Sequence, residues 1–209
     1  RSYQYLSSNL MLNFHKTFGD FDFNLLLGQT SEDTKNIRQN HWGYDFVTAG
    51  TISFANIANE NKFFTESTIR RRLIGVYGEF RAAYKNIAYL TVTGRNDWSS
   101  TLPVENRSYF YPSVSGSLVF TELIPKNDIL SFGKIRASWA QVGKDAEAYA
   151  TNTYMWSPGA VSPGFVGIGN NWTRGNPFLK PEIQTSWEVG GEFRFFGGRL
   201  GIDYTYYNS

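Results

Sequence analysis

The closest this sequence comes to a general acid–base pair is Glu188 and Glu192. Hydrolysis across a cleft needs carboxylates that face one another from separate elements, or a nucleophile beside a base. These two lie along one strand, so lining a wet surface explains them better. The two histidines, His15 and His41, stand far apart without Asp or Glu at helix spacing, and the chain has no cysteine. A metal centre and a disulfide framework are therefore not expected. Gly164-Phe165-Val166-Gly167-Ile168-Gly169 reverses the spacing of a dinucleotide fingerprint and lacks its strand–helix context, so it reads as a flexible loop. No catalytic residue and no cofactor site is assigned, and the expectation is a protein that is not an enzyme.

What remains is recognition chemistry. Arg95, Asp97 and Trp98 sit together, and Trp156 and Trp172 lie in a Gly/Pro/Asn-rich stretch. An indole face matches the C–H groups of a sugar ring. These five residues are the candidates for substrate contact. The plainer readings stand beside that one: Trp98 as an interfacial aromatic, Trp156 and Trp172 as packing within their loop. Arg70-Arg71-Arg72 could pair with the phosphates of a lipopolysaccharide, since guanidinium binds phosphate bidentately. A solvated rim is its plainer reading.

The elements that must hold these residues show a period of two. Leu10, Leu12 and Phe14 alternate with Asn9, Asn13 and His15; after Gly19-Asp20, Phe21, Phe23, Leu25 and Leu27 alternate with Asp22 and Asn24. The pattern reads as a hairpin. It continues in strands around Ile74–Tyr84, Ala88–Arg95, Phe110–Phe120, Lys134–Trp139, Trp187–Phe195 and Leu200–Tyr206. The stretch from about Ser31 to Thr68 is polar and reads as a long loop, as does the one from about Gly143 to Pro181. About eight strands of roughly ten residues result, the length a tilted strand needs to cross a bilayer. Connections alternate short and long, the short ones at Gly19-Asp20, Lys85-Asn86, Pro125 to Asp128 and Gly197-Gly198.

Composition agrees. Charged residues are 18%, below the roughly 25% of soluble domains, and aromatics are 17%. Lys+Arg 20 against Asp+Glu 18 leaves a net charge of +2, which argues against nucleic acid as a partner. No apolar run approaches the ~18 residues of a transmembrane helix. A barrel escapes that test, because only alternate residues meet lipid. In lipid every N–H and C=O must be paired, so spanning strands close on one another. Aromatics near strand ends, namely Tyr84, Tyr89, Trp98, Tyr109, Tyr111, Phe132 and Trp187, read as interfacial girdles.

Three stretches go beyond pattern. Arg95-Asn96-Asp97-Trp98-Ser99-Ser100-Thr101-Leu102-Pro103 with Ser108-Tyr109-Phe110-Tyr111-Pro112-Ser113-Val114-Ser115, and then Leu130-Ser131-Phe132-Gly133-Lys134-Ile135-Arg136-Ala137-Ser138-Trp139-Ala140-Gln141-Val142-Gly143, resemble the SusC/RagA family of TonB-dependent outer-membrane transporters. Asn176-Pro177-Phe178-Leu179-Lys180-Pro181-Glu182, followed by Trp187-Glu188-Val189-Gly190, is similar to a pattern of TonB-dependent receptors generally. The resembling region runs from about Arg95 to Tyr207. The resemblance implies an all-β antiparallel meander within a barrel of about 22 strands with a plugged lumen. It further implies the bacterial outer membrane, energised import of glycans or oligopeptides, a SusD-like surface lipoprotein as partner, and the TonB complex acting through parts outside these residues.

Both ends of the sequence fall in mid-pattern, so residues 1–209 are expected to be part of a barrel domain, with plug and remaining strands elsewhere. Two rival classes remain. A small stand-alone outer-membrane barrel, adhesive or structural, would pair its first and last strands. A soluble β-rich glycan-binding module would bury its apolar stripe against a second sheet.

Overall fold

The computed structural model describes residues 1–125, 128–162 and 165–209. Among them, eight strands form one antiparallel sheet in the order β1-β2-β3-β4-β5-β6-β9-β10. These are β1 (Ser2–Phe18), β2 (Phe21–Gly43), β3 (Lys62–Tyr84), β4 (Ala88–Ser99), β5 (Ser108–Leu118), β6 (Leu130–Lys144), β9 (Glu182–Phe195) and β10 (Leu200–Asn208). A separate hairpin, β7 (Met155–Ser162) and β8 (Phe165–Asn170), interrupts the meander.

Register turns the period-two pattern into two chemically distinct faces. One row runs Leu25, Phe80, Val92, Val114, Trp139, Trp187 across six strands. One residue away, the opposite face reads Asn24, Arg81, Thr91, Ser115, Ser138, Glu188. The sheet is a single layer. Among the described residues the buried apolar side chains are Ile57, Leu102, Tyr109 and Val119, none from the apolar rows. No second sheet covers the apolar face, as a soluble sandwich would require, and a bare stripe of this extent suits lipid contact. Among the described residues β1 and β10 are the two edges of the sheet and do not pair with each other, unlike the strands of a closed small barrel.

The short connections gather on one rim and are stitched together there. Gly19, at φ 59°, makes the two-residue turn between β1 and β2. Lys85 N–H donates to the Asp20 carbonyl at 3.0 Å, Val119 N–H to that of Ile87 at 2.7 Å, and Phe196 N–H to that of Ile129 at 2.9 Å. The Lys85 ammonium also pairs with the Asp20 carboxylate at 3.0 Å.

Four expectations are corrected. The stretch from Ser31 to Thr68 is mostly strand: β2 continues to Gly43 and β3 starts at Lys62, through pairs such as Thr34–Arg71 and Gln39–Glu66. With 23 residues each, these strands are about twice the roughly 10 residues that cross a bilayer, and their outer parts lack the apolar alternation that would have marked them as strand. The segment between Gly143 and Pro181 carries the β7–β8 hairpin, so Phe165 to Gly169 is strand rather than flexible loop; Gly164 lies outside the described residues. The β5–β6 connection is longer than Pro125 to Asp128, of which residues 126 and 127 lie outside the described residues. It includes a 3-10 turn at Phe120–Glu122, whose Phe120 ring lies against Gly133 and Phe193 on the apolar face. Finally, register puts Tyr89, Tyr109 and Tyr111 on the polar face, and a bulge at Leu130/Phe132 pairs Phe132 with Arg194 of that same face. Those four are not lipid-facing girdle residues; Tyr84, Trp98 and Trp187 are on the apolar face.

Candidate functional site

The polar face carries a continuous hydrogen-bonded network at the end of the sheet opposite the stitched turns. Arg95 and Asp97 are two apart on β4 and so share that face. Arg95 Nε donates to Asp97 Oδ1 at 2.7 Å, Arg95 Nη2 to Thr30 Oγ1 at 2.8 Å, and the Tyr111 hydroxyl to Asp97 Oδ2 at 2.7 Å. The guanidinium lies 5.5 Å from the centroid of the Tyr77 ring, and Tyr77 donates to Asn9 Oδ1 at 3.3 Å. Asp97 is only 4% exposed, so this charge is compensated where water cannot reach it. Gly75 makes the space: a Cβ there would stand 2.1 Å from Arg95 Nη2 and 2.3 Å from Asp97 Oδ1. Beside the network is an open cavity of about 370 Å³, lined by Tyr77, Glu79, Thr93, Arg95 and Tyr111 among others.

A second cluster fastens the long β6–β9 connection to the rim. Asp145, one residue past β6, accepts a bidentate pair from Arg71, at 2.8 Å from Nε and 2.9 Å from Nη2. It also accepts from Ser99 Oγ at 2.5 Å and Thr101 Oγ1 at 3.1 Å. Burial alone would raise the Asp145 carboxyl. The bonds from Arg71, Ser99 and Thr101 outweigh it and hold the group below the ordinary aspartate range. Farther along the connection, Asn106 Nδ2 donates to the Leu179 carbonyl at 3.1 Å, tying the turn between β4 and β5 to the third diagnostic stretch. Gly175 lies so close to Asn152 that a Cβ would meet its backbone at 2.3 to 2.5 Å.

Of the five recognition candidates, the structure brings together Arg95 and Asp97. Trp98 points to the opposite, apolar face, between its β3 and β5 partners Ile74 and Ser108. Trp156 belongs to β7, half exposed, with Nε1 donating to the Asn170 carbonyl at 3.1 Å. Trp172 follows β8 and is fully exposed. The arginine run divides by parity. Arg70 and Arg72 both pair with Asp33, while Arg71 turns the other way to Asp145. Sequence reading missed Asp145, Ser99 and Thr101; the small hydroxyl run Ser99-Ser100-Thr101 just past a strand end was the available signal. Among the described residues no group of three His, Cys, Asp or Glu could hold a metal ion.

Comparison with known proteins places this architecture. Residues 1–209 match the family described as TonB dependent receptor-like, beta-barrel. The TonB-dependent receptor P26 of Formosa agariphila is 27% identical over 168 residues, covering 77% of this chain and 17% of that protein. The TonB-dependent receptor SusC of Bacteroides thetaiotaomicron is 28% identical, covering 96% of this chain and 21% of that one. This chain thus spans about a fifth of the length of those relatives. Among solved structures, the RagAB peptide transporter superposes with a TM-score of 0.83 at 18% identity over 98% of this chain and 23% of that chain, and the RagAB peptide importer in its open-open state with 0.82. The chain therefore belongs to the TonB-dependent receptor β-barrel family, and is of the SusC/RagA type.

Proposed function

We propose that residues 1–209 form a segment of barrel wall in an outer-membrane importer that takes up oligosaccharides or oligopeptides by TonB-dependent transport. The observation that carries this reading is the unbroken apolar row from Leu25 to Trp187 set one residue from the polar row Asn24 to Glu188. Such a wall meets lipid on one side and a wet passage on the other. The wall's task is binding and passage rather than catalysis. The rim bearing the β2–β3 extension and the β6–β9 connection faces outward and meets a SusD-like lipoprotein, while the TonB complex acts through other parts of the protein. Trp156 and Trp172 stand in that outer connection as stacking surfaces for cargo. Arg95 borders the cavity on the passage side, with Asp97 fixing it, and Trp98 meets the lipid interface. Arg70 and Arg72, on the lipid side above the membrane, meet lipopolysaccharide phosphates.

The test uses the full-length receptor in its own cells. Labelled oligosaccharide and oligopeptide mixtures are offered with and without a protonophore, and single cysteines at Val92 and Thr93 are probed with a membrane-impermeant maleimide. Energy-dependent uptake of either class, with labelling at Thr93→Cys and protection at Val92→Cys, is expected. Uptake that ignores the protonophore, or the reverse labelling pattern, overturns the proposal.

A further inference from the structure

β3 is 23 residues long, but β4 covers it only as far as the Leu73–Ser99 pair. Ser100 takes one more step, its N–H donating to the Arg72 carbonyl at 2.9 Å and its hydroxyl accepting from the Arg72 N–H at 2.8 Å. Beyond that point β3 pairs with β2 alone, up to Gly43–Lys62. In an antiparallel ladder alternate residues direct both main-chain groups to the same neighbour. Arg72 faces the β4 side, so Arg70, Thr68, Glu66 and Phe64 do too.

Two of those groups are met by one hydroxyl. Tyr149 OH accepts from the Arg70 N–H at 3.4 Å and donates to the Thr68 carbonyl at 3.5 Å. Tyr149 holds a left-handed φ of 66° to reach them. Among the described residues no partner meets the Thr68 N–H, the Arg70 carbonyl, or either main-chain group of Glu66 and Phe64. Within a larger barrel no further wall strand can pair with this edge. β4 is already the next strand, so no other wall strand can enter between it and β3. Open edges invite another strand.

Resting on the importer reading above, we propose that the edge of β3 from Phe64 to Thr68, up to the groups that Tyr149 meets, is a cargo subsite that takes an extended oligopeptide by strand addition. The occupant follows from the chemistry at the edge. Regularly spaced main-chain donors and acceptors are matched by another peptide backbone, which a sugar chain does not supply at that spacing. The adjoining cavity, about 750 Å³, touches Ser67, Thr68 and Ile69 and carries both Arg174 and Glu147. Neither forms an ion pair among the described residues. Either charge complements one end of a bound peptide, Arg174 its carboxylate or Glu147 its ammonium. Recognition through the backbone tolerates many side chains.

The experiment measures binding of a mixed-sequence octapeptide pool to the full-length purified receptor, beside the same pool N-methylated at every residue, so that neither edge of the peptide can donate. Variants are Thr68→Pro, Glu66→Pro and the control Thr68→Ala. The N–H groups removed by proline point away from β2, so the β2–β3 ladder survives, and retained heat-modifiable migration verifies the barrel. Each proline removes one donor and predicts about fivefold weaker binding, while the two or three donors lost from the methylated pool predict at least about tenfold weaker binding to the unaltered receptor. Thr68→Ala should bind as the unaltered receptor does. Equal binding of the methylated and plain pools overturns the proposal. So does a proline variant that loses affinity only for the surface lipoprotein. Energised uptake of an oligosaccharide alone, with no peptide binding, overturns the subsite and leaves the importer reading standing. Peptide binding without energised uptake of either class supports the subsite and overturns the importer.

Discussion

Replacing Asp145 with alanine removes the carboxylate that ties the β6–β9 connection to the rim. Its side chain is 10% exposed and accepts four hydrogen bonds, two of them from Arg71. A hydrogen bond to a charged group contributes about 1.5–3 kcal/mol, but Arg71 is 35% exposed and regains water when its partner goes. The net loss of local anchoring is then about 2 kcal/mol, or roughly 30-fold in the population of the detached connection. Hydrogen exchange of residues 146–181 in the full-length receptor reads that population directly, because amides in a local unit exchange through its opening. Exchange there should accelerate about 30-fold, with the β4 and β5 ladders unchanged. The acid response has a definite sign. A carboxyl held below its ordinary value contributes stability that is complete above 3.8 and is lost as pH falls through the lowered folded value. The unaltered receptor should therefore keep the connection fastened through neutral and mildly acidic pH and release it only below that value. Exchange in Asp145→Ala within about twofold of the unaltered protein would refute the anchoring argument.

Further perturbations separate the two faces and the two networks. Val92→Arg, in the middle of the apolar row, should cost about 2–4 kcal/mol in denaturant unfolding from vesicles, whereas Thr91→Arg on the polar face should change it little. Gly75→Ala brings a methyl into Arg95 and Asp97, so the Arg95–Asp97 bond should break, at a cost of about 1.5–3 kcal/mol in denaturant unfolding from vesicles. Asn106→Ala removes the bond to the Leu179 carbonyl, about 1 kcal/mol, and should make the chain near Leu179 more readily cut by protease. Trp172→Ala, at a fully exposed site, should leave stability within about 0.5 kcal/mol, so any loss of cargo binding there reports contact with cargo.

The wall was legible in the sequence because lipid and water impose opposite demands on neighbouring residues. Wherever one face is apolar, as from Phe21 to Leu27 or from Trp187 to Phe195, alternation shows both strand and register. Where both faces are wet the demand vanishes, and Thr30 to Gly43 and Lys62 to Thr68 look like loop although they form a ladder. Parity also limited the reading of aromatics. Tyr109 and Tyr111 sit near a strand end like girdle residues, but register turns them inward to Asp97 and its neighbours. At the candidate site, Arg95 and Asp97 stood out because two like-faced charges of opposite sign sit on one strand. Asp145 did not, because its partners Arg71 and Ser99 are 74 and 46 residues away, and only the folded sheet brings them together.

The stepped outer rim bears on how such a wall can change its dimensions. Below the step, inserting one residue into a strand turns every following side chain to the wrong side, setting charge into lipid. Above it, both sides are water, and a slip of one residue carries no such penalty. Adding one residue to each strand at the Gly43–Lys62 tip adds a rung of about 3.4 Å and leaves every pair beneath it in place. The tip of the crown is where rungs can be added without disturbing those beneath, while the band below must keep its count.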